Sequence, residues 1–219
     1  MSLQTAEAIA NQLRMKPDSC LALPTGRTPI GCYQILSEWS RLGQLDWSKA
    51  KCFALDDYLD VEESQSFAYY LTKHLYCSTN LPKIARFNPR FCDNYDLLIA
   101  HQGGLDLAIV GIGRNGHIAF NEPGTPKESW THCLFLTEST RKANASPFGS
   151  IASVPKRAIT IGIRTILDSA RVILVANGKD KKAILTKALS GTITTDVPAS
   201  FLQSHLHLDL ITDFDYEKS

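Results

Sequence analysis

The sequence predicts a single-domain α/β fold of Rossmann-like type, with a mostly parallel sheet and helices on both faces. Two observations predict it. Short β-like apolar runs alternate with helix-like segments along the chain, the pattern of a sheet covered on both sides. The length of 219 residues suits one large domain better than two small ones, and no internal repeat or Pro/Gly-rich linker divides it.

Taken in order, strands are expected near Cys20 to Leu23, Cys52 to Leu55, Leu105 to Val110, Cys133 to Leu136, Val172 to Ala176 and Leu208 to Ile211. Helices are expected over Thr5 to Arg14, Pro29 to Arg41, Ser64 to Tyr76, Asp180 to Leu189 and Ala199 to Ser204. In open α/β sheets ligands bind outside the carboxyl ends of the strands, so chemistry is sought directly after each apolar run.

Composition narrows the function classes. Apolar residues make up 44% and charged residues 21%, with a net charge of +1 and Lys and Arg spread along the chain. That argues against a nucleic-acid or membrane surface and leaves a small anionic ligand open. The N-terminal MSLQTAEAIANQLRMK has no basic region followed by an apolar run, which predicts a cytoplasmic protein. Six cysteines without a CxxC pair read as reduced thiols.

Three loops carry candidate chemistry. After the first run, Pro24-Thr25-Gly26-Arg27-Thr28 leads into a helix with Thr28 as expected N-cap and Pro29 at the first helical position. Backbone N–H groups at Thr25, Gly26 and Thr28 could cradle a phosphate, with Arg27 as counter-charge; a plain βα turn would look the same. After the second run, Asp56 and Asp57 adjoin. Repulsion and burial would raise the pKa of at least one, as a base requires, unless Asp57 caps the next element and Asp56 is solvated.

After the third run, Gly111-Ile112-Gly113-Arg114-Asn115-Gly116 satisfies GxGxxG, with Glu138 downstream. Asn121, Pro123, Gly124 and Pro126 would break the helix that a dinucleotide site needs, so the glycines are expected to let the backbone approach another ligand. His117, Asn115 and Glu122 form a polar cluster among Ile118, Ala119 and Phe120, where a histidine oriented by a carboxylate can shuttle a proton. His101, His205 and His207 do not have the spacing of a closed zinc site, so no metal is expected.

Together LPTGRTP, FALDDY, GIGRNGHIAFNEPG and VPKRAITIGIRTILDSARVILVANG resemble, in order and spacing, the glucosamine-6-phosphate deaminase/isomerase family, from about Leu21 to Asp213. The GHIAFNEPG run is the most specific part. The resemblance implies conversion of an amino-sugar phosphate and water to fructose 6-phosphate and ammonia, without a cofactor. Asp56 would move the proton between C2 and C1, and His117 would open the ring with Asn115 and Glu122. Some members carry Asp where this chain has Asn115.

Residues 137–156 resemble the lid that closes over substrate, and Lys181 aligns with the family's phosphate lysine. The usual lid arginine is replaced by Ser146, and Arg27, where relatives have a small residue, is the expected substitute from the other wall. Asp57 and Asp60 stand where a glutamate and a glycine are usual and are expected to reshape the pocket mouth.

The chain starts closer to the first loop than is usual, implying a missing edge strand. Residues 213–219 give no long extension of the kind seen in hexameric forms, implying a monomer or simple homo-oligomer. Alternatives are a galactosamine-6-phosphate or 6-phosphogluconolactonase-like enzyme, or a sugar-phosphate sensor without turnover.

Overall fold

Every residue of Cys20–Leu23 and of Val172–Ala176 is buried, as expected for strands covered on both faces. The structure, a computed structural model, describes residues 1–216, so the end of the 213–219 segment lies outside the described residues. Helix α1 spans Ser2–Met15, strand β1 Cys20–Leu23, α2 Ile30–Arg41, β2 Lys51–Ala54 and β3 Asp56–Tyr58. There follow α3 (Phe67–His74), β4 (Arg86–Phe87), α4 (Tyr95–His101), β5 (Leu107–Gly111), β6 (His132–Phe135) and α5 (Glu138–Ala143). The chain continues through β7 (Arg157–Thr160), α6 (Ile163–Leu167), β8 (Val172–Ala176), α7 (Lys182–Ser190) and β9 (Leu208–Thr212).

Six strands form one sheet in the order β4-β2-β1-β5-β8-β9, and each pair runs parallel. Alternate residues serve opposite faces, as the twofold period of a strand requires. Leu21 and Leu23 join Leu107, Ile109, Ile173 and Val175 against α1, α2 and α3, through Ile9, Leu36 and Leu71. Cys20 and Ala22 join Ala108, Val110, Val172 and Leu174 against α4, α6 and α7, through Ile99, Ile166 and Leu185. The strand order reverses between β1 and β5, and this switch point positions the site.

Several expectations are corrected. The strand near Cys133 (β6) is outside the parallel sheet; with β3 and β7 it forms a separate antiparallel sheet in the order β3-β7-β6. A four-residue apolar run carries no information about partner direction. Thr28 is not the cap of α2: Pro29 occupies that position at φ −82° and no side chain caps the helix. The proline ring already holds helical φ there, so the chain turns one residue later than a threonine cap would place it. Ser64 to Tyr76 is α-helical only over Phe67–His74, with 3₁₀ turns at Glu63–Gln65 and Tyr76–Ser78, and Pro198–Ser204 is a 3₁₀ helix.

Asp60 has φ +56°, the left-handed region that favours glycine, and its carboxylate accepts from the Arg157 guanidinium at 2.6 and 3.0 Å. Neither Asp57 nor Asp60 lines the cleft described below.

Candidate active site

A cleft of about 990 Å³ opens at the carboxyl ends of β1 and β5. Thr25, Gly26, Arg27, Thr28, Asp56, Asn115, His117 and Lys181 all line it. Glu122 is buried behind this surface and reaches it through Asn115 and His117.

The β1–α2 loop forms one end. Gly26 takes φ +89°, and the carbonyls flanking its turn are drawn off by phenols: Tyr33 donates to Pro24 O and Tyr70 to Gly26 O, each at 2.5 Å. With the carbonyls so engaged, the loop offers N–H groups beside the start of α2, where an anion is favoured. The Arg27 side chain is exposed and makes no ion pair among the described residues.

Asp56 lies where the chain leaves one sheet for the other. Leu55 still touches the parallel sheet through Leu55 N to Leu23 O, whereas Asp56 pairs antiparallel with Thr160. The residue is 6% exposed, and burial, then the charge of Asp57, hold its carboxyl well above the usual range. Asp57 meets the opposite fate. It is fully buried and accepts from the N–H groups of Tyr58, Phe67 and Ala68 and from Asn88 Nδ2, which caps α3 together with Ser66. The two halves of the alternative reading therefore separate: Asp57 is a cap, but Asp56 is not solvated.

Turns, with no helix, fill residues 112–131. Gly113 serves the protein's own imidazole, since a Cβ there would lie 2.3 Å from the His117 ring, whereas Gly116, at φ +87°, abuts Val197. His117 is 20% exposed in its side chain. Its backbone N–H donates to Asn115 Oδ1 at 3.3 Å, and Asn115 Nδ2 donates to Glu122 Oε2 at 2.7 Å. His117 Nδ1 stands 3.7 Å from Glu122 Oε2, close enough to feel its charge but beyond hydrogen-bond range, and has no other partner among the described residues. Burial pushes the imidazole below its ordinary pKa, Glu122 pulls it up and Lys181 pushes it down.

Lys181 donates to Ile112 O at 2.7 Å; burial lowers its pKa, with Asp180 opposing and Arg114 adding to the shift. Residues 137–156 supply the remaining wall, with Ser139, Thr140, Lys142 and Asn144 facing the cleft. Ser146 is exposed and off the cleft, and the cation of this segment that lines it is Lys142.

The sequence reading missed one set of contacts. Glu122 Oε1 accepts from the hydroxyl of Thr140 and from that of Thr137 at 3.1 Å. The local signal that could have found them is a threonine at the cap of a short helix, as Thr137 is for α5. Among the described residues no group of three His, Cys, Asp or Glu side chains could hold a metal ion, and no helix is long and apolar enough to cross a membrane.

The arrangement brings a buried carboxyl, an imidazole beside a second carboxylate and the β1–α2 loop to one cleft. Residues 1–210 match the family model of glucosamine-6-phosphate isomerases/6-phosphogluconolactonase. A glucosamine-6-phosphate deaminase of Lachnoclostridium phytofermentans is 44% identical, covering 98% of this chain and 95% of its own. That of Halothermothrix orenii is 41% identical over 97% and 92%. A solved monomeric glucosamine-6-phosphate deaminase superposes with a TM-score of 0.92 at 37% identity, covering 96% of this chain and 92% of its own. The 6-phosphogluconolactonase of Thermotoga maritima, at 22% identity and a TM-score of 0.74 over 96% and 94%, shares the fold. This chain belongs to the family of glucosamine-6-phosphate isomerases and 6-phosphogluconolactonases.

Proposed function

We propose that this chain is a glucosamine-6-phosphate deaminase, taking an aldose 2-amino-sugar 6-phosphate and water to fructose 6-phosphate and ammonia. The buried Asp56 carboxyl, facing the same cleft as His117, carries the reading. The substrate's phosphate lies on Thr25 to Thr28, held by Arg27 and Lys181. His117, kept neutral near pH 7 by its lowered pKa, takes the proton from the ring hydroxyl at C1 and returns it to the ring oxygen, which opens the ring.

Asp56 then removes the proton at C2 and delivers it to C1, leaving an imine at C2 that water hydrolyses to the ketone and ammonia. A raised carboxylate pKa brings its basicity nearer the working pH, and enclosure by residues 137–156 keeps water from the intermediate until the last step. Lactone hydrolysis uses no carbon base and would leave Asp56 idle. No cofactor enters this sequence of steps.

A cytoplasmic monomer belongs to the same proposal, supported by six free cysteines and the likeness to a monomeric deaminase. The test is to follow ammonia and fructose 6-phosphate from glucosamine 6-phosphate, with galactosamine 6-phosphate and 6-phosphogluconolactone in parallel. Equal release of both products from the gluco substrate supports the reading; turnover of only the galacto substrate or the lactone overturns it.

A further inference from the structure

Glu122 is held from the lid segment as well as from the loop that carries it. Its Oε2 receives Asn115 Nδ2 and faces His117, while its Oε1 receives Thr140, a residue 2% exposed, and Thr137. Both threonines belong to the segment that walls the cleft: Thr137 caps α5, and Thr140 sits in that helix's first turn. The rest of the segment is anchored separately. The Arg141 guanidinium donates to Ile151 O and Val154 O, and Phe148 and Val154 pack with Tyr58, Phe120 and Leu136.

We propose that Thr140, with Thr137 beside it, is a latch by which the 137–156 segment sets the acid–base pair: the seated lid fixes the Glu122 carboxylate, and Glu122 in turn positions His117. This deepens the deaminase reading and rests on it. The contact spans 15 and 18 residues of sequence and joins one wall of the cleft to the carboxylate that faces the imidazole. A carboxylate with both oxygens engaged cannot rotate, whereas one freed at Oε1 can swing Oε2 away from His117. Thr140 touches no reacting atom in this scheme and is a positioning residue.

The groups facing the imidazole are Glu122, which raises its pKa, and Lys181, which lowers it. Loosening Glu122 therefore leaves burial and Lys181 to depress His117 further. The experiment uses Thr140→Val and Thr140→Ala, so that a folded protein without the hydroxyl is in hand, and Thr140→Ser, which restores it. For each, kcat and KM are measured against pH, and the His117 Cε1 proton is titrated by NMR.

The expected result is a kcat reduced about tenfold or more with little change in KM, a His117 midpoint moved to lower pH, and recovery of both in Thr140→Ser. A folded Thr140→Val or Thr140→Ala protein with unchanged kcat and His117 midpoint overturns the latch, as does a midpoint that rises. If the wild type fails to deaminate its substrate, the deaminase reading falls, while the NMR titration still decides whether Thr140 governs His117.

Discussion

Two carboxylates one residue apart meet different surroundings in this fold. Asp57 has four donors and holds α3 in place; Asp56 faces the cleft, buried and close to that charge. Above the ordinary carboxylate range the unfolded chain has released the Asp56 proton while the folded chain still binds it. Stability from this residue is thus fully present below the usual pKa and lost as pH rises through the raised folded value. Asp56→Asn should therefore melt about 3 °C above the wild type near pH 8, with the difference shrinking toward about pH 4. Calorimetry across that range checks it, and a gap independent of pH would contradict it. Arg27→Ala should raise KM for glucosamine 6-phosphate roughly tenfold with kcat less affected; a KM within about twofold of wild type would remove Arg27 from the phosphate site.

At the scale of elements, the loop after β5 shows why a dinucleotide fingerprint can mean something else. Gly113 is glycine because the His117 ring occupies the space a Cβ would need. Gly113→Ala should leave a folded protein, since the strain falls on one side chain, but lower kcat by about a hundredfold by displacing the imidazole; unchanged kcat would show that His117 position is not critical.

The same scale explains what the sequence could and could not reveal. Loop 24–29, Asp56 and the 115–122 cluster were legible because each comes shortly after an apolar run of the parallel sheet, β1, β2 or β5. The small sheet was not: β3 has three residues and β7 four, too few to show a period, and only their pairing places Asp56 beside Thr160. Nor did any local pattern point to the hydroxyls on Glu122, which arrive from beyond β6.

For the whole molecule, the reversal of strand order between β1 and β5 brings the 24–29 loop and the His117 loop to one crevice, and the departure of β3 from β2 adds Asp56. The residues are far apart in sequence, and the sheet alone makes them neighbours. Because the scheme uses only the chain's own groups, prior treatment with a chelator should leave turnover unchanged; a loss restored by added metal would contradict it.

The central claim is that Asp56 takes a proton from carbon. The direct measurement is to give wild type and Asp56→Asn glucosamine 6-phosphate deuterated at C2, and to follow ammonia, fructose 6-phosphate and the loss of deuterium from C2. The account predicts equal ammonia and ketose from the wild type with slowed cleavage of the C2–deuterium bond, and a loss of at least about a hundredfold in Asp56→Asn. Ketose formed by Asp56→Asn at the wild-type rate would contradict it.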